Sequence, residues 1–193
     1  MTDDIFSTQF AIGAENAAIW ALSARRLKQS ADLLFDAHTV DLIALGNGSS
    51  PLALSHLELA GPATLLFGLA LENILKGIII QRDPQPVVGG KLRQWPTNGH
   101  DLLRLAAAAA VALDQQESDL LRRAGAFVEW AGRYPIPKRM TDLASSPSGS
   151  GYFAGFPVPL TMAERSGFDR LFNRLYATVI DEEQDEDISA HAV

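Results

Sequence analysis

The chain has 193 residues, of which 47% are hydrophobic and none is cysteine, and its formal net charge is -7. A chain of this length can bury the core of one domain, and without cysteine it can form no disulfide, thiolate metal site or cysteine nucleophile. Six acidic residues between positions 181 and 187 account for six of the seven net negative charges, so the overall charge excludes no class of partner.

We therefore expect a single domain over residues 1–180, followed by an acidic disordered tail over residues 181–193. The tail is interpreted as solubilising, or else as a segment that competes with an anionic ligand or docks a partner. The start of the chain is acidic and precedes no short apolar segment with a cleavage site, which predicts a cytoplasmic protein. The apolar run Leu65–Ile80 is sixteen residues long and contains Glu72 and Lys76. No membrane contact is expected, because a spanning helix takes about 20 apolar residues.

The first predicted helix covers Ala14–Phe35. Its apolar residues recur on one stripe, at Trp20, Ala24, Leu27, Ala31 and Leu34. The glycine- and serine-rich stretch Gly46–Ser50 ends this region. Pro51 is predicted to begin a short helix that leads into a long one over Pro62–Gln81, because proline suits the first turn of a helix.

Three more helices are predicted after this pair. One starts at His100 or Asp101 and runs to Leu113, and the next spans Gln116–Ala131, with Gly132 placed to cap its end. Residues 134–160 are rich in proline, glycine and serine, which predicts a long loop that is functional or mobile. The last helix opens with Thr161 and Glu164 at capping-box spacing and buries Phe168, Leu171, Phe172, Leu175 and Val179. The fold class is all-α, as an antiparallel four- to five-helix bundle.

Familiar catalytic and metal-binding motifs are absent from the sequence. It contains no phosphate-binding Walker loop, no His-Glu-x-x-His pair and no calcium-binding loop. The histidines at 38, 56 and 191 each stand without a partner at ligand spacing, so no metal and no cofactor are expected. The glycines within Gly149–Phe156 have the wrong spacing for a dinucleotide loop and predict a flexible segment.

Polar residues interrupt the long apolar helix. Glu72 and Lys76 are four residues apart in the orientation that pairs best on a helix, and Asn73 lies beside them. A structural role, in which the pair fixes how neighbouring helices pack, is the default interpretation. A role in contacting a ligand is the alternative.

His100 lies at the start of a predicted helix, directly after Asn98-Gly99. The helix dipole disfavours the protonated ring at that end, and a neutral imidazole suits a general base. In the alternative interpretation, His100 or Asn98 only caps the helix, and Asp101 supplies a favourable first-turn charge.

The stretch from Trp130 to Arg139 combines aromatic rings with cations. The side chains in question are Trp130, Arg133, Tyr134, Lys138 and Arg139. Such side chains offer charge to phosphates and π-faces to unstacked bases, as single-stranded nucleic acid requires. Termination of a helix explains the same composition equally well.

The chain resembles the HEPN superfamily, helical domains found in prokaryotic toxin–antitoxin pairs, defence systems and proteins associated with nucleotidyltransferases. The resemblance is carried by Leu66–Gly77 and by Gly99–Leu103, and covers about Ala14–Arg139. It implies a four- or five-helix bundle that forms a homodimer. It also implies RNA or a nucleotide as ligand, and a cognate antitoxin or nucleotidyltransferase as partner.

Active ribonucleases of this superfamily have an arginine followed by four to six residues and then histidine. Arg93 and His100 meet that spacing, so the resemblance implies that they form a metal-independent RNA-cleaving site. The interval departs from the pattern, because Gln94 replaces the usual polar partner and Pro96 and Gly99 predict a loop. The competing hypothesis is a non-catalytic interaction module, antitoxin-like or a scaffold subunit, in which His100 is structural.

Overall fold

A computed structural model of the chain describes residues 2–51, 54–85, 87, 89–134, 136 and 157–180. The predictions for Lys138, Arg139, Gly149–Phe156 and the acidic tail lie outside these residues, as does most of the predicted long loop. Within them the chain forms six α-helices and no β-strand, so the fold class is all-α as predicted. The helices are α1 Thr2–Glu15, α2 Ala17–Gly46, α3 Ala60–Arg82, α4 Leu102–Ala108, α5 Gln115–Ala126 and α6 Met162–Tyr176.

The predicted first helix has the wrong bounds, because two helices meet at Asn16. Asn16 has an extended backbone, and its side-chain oxygen accepts a hydrogen bond from the Ala18 N–H at 2.9 Å. This contact caps α2 and separates it from α1. α2 then continues beyond Phe35 and ends at Gly46. Two residues later, Gly48 adopts a φ of 91°, in the left-handed region. The predicted break at Gly46–Ser50 is confirmed.

Helix α3 begins slightly earlier than predicted, at Ala60, and a short 3₁₀ turn at Leu57–Leu59 leads into it. α3 is the central helix, since it contacts α2, α4, α5 and α6. Its pairing with α2 is antiparallel: Phe67 packs on Phe35 with ring centroids 6.0 Å apart. At the other end of the pair, Gly77 faces the start of α2.

Close backbone approach positions α3 against α5. A Cβ added at Gly68 would lie 2.5 Å from Val128 Cγ2 and 2.9 Å from the Ala124 carbonyl oxygen. Gly132 caps the end of this helical stretch as predicted, with its N–H donating to the Phe127 carbonyl at 3.0 Å. Its φ is -81°, so glycine is required here for space and not for a left-handed turn: an added Cβ would lie 2.7 Å from Leu65 Cβ. The main chain between α5 and Gly132 forms a π-helical turn, Phe127–Ala131, which the sequence pattern predicted as ordinary helix.

Helix α4 ends five residues before its predicted end. Ala110 has a φ of 48°, and the Val111 N–H donates to the Ala106 carbonyl at 2.9 Å. This pattern is a Schellman end with alanine in the left-handed position where glycine is usual. The Arg82 guanidinium also donates to the Ala109 carbonyl, and this tertiary contact is invisible in the local sequence.

Helix α6 begins as predicted and ends at Tyr176, so that Val179 lies in the turn after it. Thr161 and Glu164 form the reciprocal capping box, and all five predicted apolar residues are buried. Phe168 lies against Phe67 of α3, with ring centroids 4.3 Å apart. Ion pairs join α6 to α2, among them Arg165 to Asp32 at 2.6 Å and Lys28 to Asp169 at 2.8 Å.

One helical stretch among the described residues, Leu57–Arg82, is long and apolar enough to cross a membrane by length and composition. Of its most apolar window, 78% is buried inside the protein. This burial is consistent with the core helix of a soluble protein, where α2, α4, α5 and α6 provide the apolar surroundings that lipid would otherwise provide.

Candidate functional site

The predicted pair on α3 is buried and forms a close ion pair. The Lys76 Nζ atom lies 2.6 Å from Glu72 Oε1, and their side chains are only 8% and 6% exposed. Four-residue spacing on one helix face brings the two charges together. Because a buried carboxylate needs further hydrogen bonds to offset its loss of water, the second oxygen of Glu72 also requires a donor.

His100 supplies that donor. Its Nδ1 atom lies 2.9 Å from Glu72 Oε2, while 37% of its side chain remains exposed. The ionised carboxylate can only accept, so the ring carries its proton on Nδ1 when neutral. The lone pair is then on Nε2. This arrangement of carboxylate and imidazole orients the ring and leaves a basic nitrogen.

The loop before α4 places the imidazole. Gly99 has a φ of 78°, in the region that glycine adopts without strain. The side chain of Asn98 accepts from the His100 N–H at 3.1 Å, and Asp101 is the N-cap residue of α4, accepting from the Arg104 N–H at 3.1 Å. His100 itself does not cap the helix, which leaves its ring available to Glu72.

Two tryptophans enclose the ammonium group of Lys76. Its Nζ atom lies 5.2 Å from the ring centroid of Trp95 and 5.9 Å from that of Trp20. The two rings pack edge to face at 5.5 Å. Aromatic faces stabilise a cation that has lost water. Gly99 also permits this packing, since an added Cβ would lie 3.2 Å from Trp95 Cβ and 3.5 Å from Lys76 Nζ.

Arg93, the second predicted catalytic residue, packs on the same tryptophan. Its guanidinium carbon lies 5.5 Å from the Trp95 centroid. It donates to the Asp83 carbonyl at 2.7 Å and to the Asp83 carboxylate at 3.0 Å. Among the described residues its hydrogen bonds go to Asp83, and none joins it to His100. The ring of Trp95 is thus contacted by both cations, Arg93 and Lys76.

The other predicted ligand residues make their contacts elsewhere, and none of the contacts described here joins them to Glu72, Lys76 or His100. Asn73 donates to the carbonyl of Leu69 at 2.8 Å. Trp130 is only 6% exposed, so its ring packs inside the protein at the π-helical turn and offers no open face to a base. Arg133 and Tyr134 are exposed, with the guanidinium carbon 5.9 Å from the tyrosine ring. Of the predicted aromatic pair, Tyr134 is the one with an accessible ring.

Trp20 and Trp95 were not predicted as site residues. Trp20 fits the apolar stripe of its helix and carries no other signal. Trp95 lies within the Arg93–His100 interval, and only its position between the two candidates marks it. A second imidazole–carboxylate contact was also not predicted: His56 Nδ1 lies 3.4 Å from the buried Asp41 carboxylate.

No group of three or more potential metal ligands occurs among the residues that the structure describes. No family model, no curated protein and no solved structure matches the chain. Fold and site together define an all-α protein with a buried carboxylate–lysine pair that orients a half-exposed imidazole.

Proposed function

We propose that the chain is a cytoplasmic HEPN-like helical bundle that binds RNA or a nucleotide and cleaves RNA without a metal ion. The observation that carries this proposal is the contact between Glu72 and His100. It fixes the orientation of the imidazole, whose side chain stays 37% exposed, and a general base needs both orientation and access to its substrate.

In this mechanism, Nε2 of His100 takes the proton from a ribose 2′-hydroxyl. The 2′-oxygen then attacks the adjacent phosphorus, and the bond from phosphorus to the 5′-oxygen breaks as that oxygen takes a proton from water. His100 returns its own proton to the solvent, which restores the neutral ring. Negative charge builds up on the phosphoryl oxygens, where a guanidinium stabilises it. Arg93 has that role in the proposal, and it must exchange its contacts with Asp83 for contacts with the phosphate.

RNA contacts beyond the reacting phosphate are proposed for Arg133 and Tyr134, which are exposed next to each other. Arg133 would contact a phosphate and Tyr134 would stack on an unpaired base. Lys138 and Arg139 continue the same basic stretch in the sequence. A homodimer is part of the proposal, and so is a cognate antitoxin or nucleotidyltransferase as partner.

The second candidate is a non-catalytic interaction module, an antitoxin-like or scaffold subunit. The contacts of Arg93 favour it: a guanidinium that binds Asp83 twice and packs on Trp95 is already used in holding the loop. Under this hypothesis Glu72, Lys76 and His100 serve packing alone.

Cleavage of a mixed RNA pool in the presence of EDTA tests the proposal. The wild type should cleave, and His100→Ala should fold but lose cleavage by about 10² to 10⁴, the usual contribution of a general base. His56→Ala is the matched control, because His56 is also exposed and also lies beside a carboxylate; it should cleave normally. Equal cleavage by His100→Ala removes His100 from the mechanism. A wild type that cleaves nothing, in a preparation with a normal thermal transition, supports the interaction module.

A further inference from the structure

A cleft of about 500 Å³ lies between the second half of α2, the start of α3 and the start of α6. This volume is within the range of small-molecule binding sites, about 300–1,000 Å³. Aliphatic side chains make up most of its lining, among them Leu42, Leu160 and Met162, with His38 and Thr161 as the polar members. Glu72, Lys76 and His100 are not among the residues that line it.

The walls of the cleft are held in place by specific hydrogen bonds. The N–H of Leu160 donates to Thr64 Oγ1 of α3 at 3.0 Å. Thr161 forms the capping box with Glu164, whose carboxylate also accepts from Arg123 at 2.6 Å. The start of α6 is therefore fixed against α3 and α5, and the cleft is a built feature of the fold.

His38 is the unusual residue of this lining. It is 9% exposed, and its Nδ1 atom is buried with no hydrogen-bond partner among the described residues. Its ring packs edge-on against Phe35, with centroids 6.1 Å apart. Buried polar groups are nearly always paired, so His38 is a cleft-lining imidazole whose hydrogen-bonding capacity is not fully used by the described residues.

The start of α6 adds a preference for negative charge. α6 is fifteen residues long, and the first-turn N–H groups of such a helix carry a partial positive charge at its N-terminus. Met162 and Ala163 of that turn line the cleft. The Glu164 carboxylate is paired with Arg123 and Thr161 and so does not cancel this preference.

We propose that the cleft binds a small amphiphile with an aliphatic or aromatic body and one carboxylate. The body contacts Leu42, Leu160 and Met162, and the carboxylate approaches the first turn of α6 and the His38 imidazole. The proposal is independent of RNA cleavage, because the two sites share no residue.

Octanoate and 1-octanol, which differ in the head group alone, are the probes. Two-dimensional ¹H–¹⁵N NMR titration of the full chain should show octanoate shifting the amides of His38 and residues 160–163. Octanoate should bind at least tenfold more tightly than 1-octanol. Equal affinity for the two, no binding at millimolar concentration, or shifts confined to the exposed apolar residues of α1 overturns the proposal.

Two variants locate the head group. His38→Leu should weaken octanoate at least fivefold without weakening 1-octanol, while the matched His56→Leu should change neither. Met162→Asp keeps the fold, because an acidic residue in the first turn stabilises a helix, and it should weaken octanoate more than tenfold by repulsion. Unchanged octanoate affinity in Met162→Asp contradicts the proposed orientation even if His38→Leu fails to fold.

Discussion

The Nδ1 atom of His100 lies 2.9 Å from the Oε2 atom of Glu72, although the two residues are 28 positions apart in the chain. One comes from the middle of the buried central helix and the other from the loop before α4. The contact connects the core to the surface, because Glu72 is buried and His100 is partly exposed.

Replacing Glu72 by Gln should release the imidazole from its Nδ1–H form. An amide can donate or accept, so the ring is no longer restricted to one tautomer. Long-range ¹H–¹⁵N NMR of the His100 ring should change from a dominant Nδ1–H form to a mixture. If the chain cleaves RNA, the rate should fall about 10- to 100-fold, as for other orienting partners of histidine.

The matched control is Asp83→Asn, which removes the carboxylate partner of Arg93 and leaves Glu72 intact. Its His100 ring should give the wild-type spectrum. If Glu72→Gln also retains that spectrum, Glu72 does not select the tautomer.

Replacing Lys76 by Met should lower the free energy of unfolding by about 3–5 kcal/mol, because it leaves the buried Glu72 carboxylate without its cation. The double variant Glu72→Gln/Lys76→Met should recover a large part of this loss, since it buries no unpaired charge. Urea denaturation measures both. Lys91→Met, at an exposed lysine, is the control and should stay within about 0.5 kcal/mol of the wild type.

Adding a methyl group at Gly68 should destabilise the protein by about 1–3 kcal/mol, because α3 and α5 have no room for it. Gly13→Ala is the opposite case: nothing lies within 4 Å of an added Cβ there. It should stabilise α1 by about 0.5–1 kcal/mol through helix propensity. Thermal unfolding of the two variants side by side checks the sign of each effect. A neutral Gly68→Ala would show that α5 moves aside easily.

The capping box of α6 should make stability depend on pH. Burial disfavours the ionised Glu164 carboxyl, but the Thr161 N–H and hydroxyl and the Arg123 guanidinium outweigh burial and hold its pKa below the ordinary value. Because the folded-state pKa is lower than that of the unfolded chain, the stabilisation is present above about pH 4.3 and is lost as pH falls through the folded-state pKa.

Unfolding free energies of the wild type and Glu164→Gln, measured across this acid range, test the effect. The variant should be less stable at neutral pH, and the difference should shrink as pH falls. Glu58→Gln, at an exposed glutamate, is the control and should parallel the wild type. A constant difference between wild type and Glu164→Gln would mean that the carboxylate charge is not responsible.

The proposed homodimer should use the outward face of α2. Leu33, Val40 and Ile43 are exposed there, within eleven consecutive residues of α2, and clustered exposed apolar residues mark interaction surfaces. The variant Leu33→Glu/Val40→Glu should be monomeric at concentrations where the wild type is dimeric, by light scattering after size exclusion. Leu92→Glu, at an exposed leucine elsewhere, should leave the dimer intact. A monomeric wild type contradicts the dimer itself.

The all-α class and most of the helices could be predicted because the local sequence signals agree with the final packing. The capping box at Thr161 and the apolar spacing of α6 both act within one helix, so they are readable from sequence. The end of α4 was not predictable, since the Arg82–Ala109 contact that helps fix it joins distant parts of the chain. The division between α1 and α2 could have been predicted, because Asn16 is a residue type that commonly caps the start of a helix.

The candidate site was predictable in part for the same reason. Glu72 and Lys76 pair along one helix, so their spacing predicts the contact. The contact of His100 with Glu72 depends on the path of the loop from Asp83 to Asp101, which no periodicity specifies. The enclosure of Lys76 by Trp20 and Trp95 brings together three segments, and sequence spacing gives no information about it.

The buried carboxylate of Glu72 also has a consequence for synthesis. Because a chain is synthesised from its N-terminus, α2 and α3 leave the ribosome before His100 does. The first two long helices therefore emerge with an acidic group that lacks one of its two partners. We expect the nascent helical pair to reach its final packing only when His100 has also emerged and its imidazole has folded back onto Glu72.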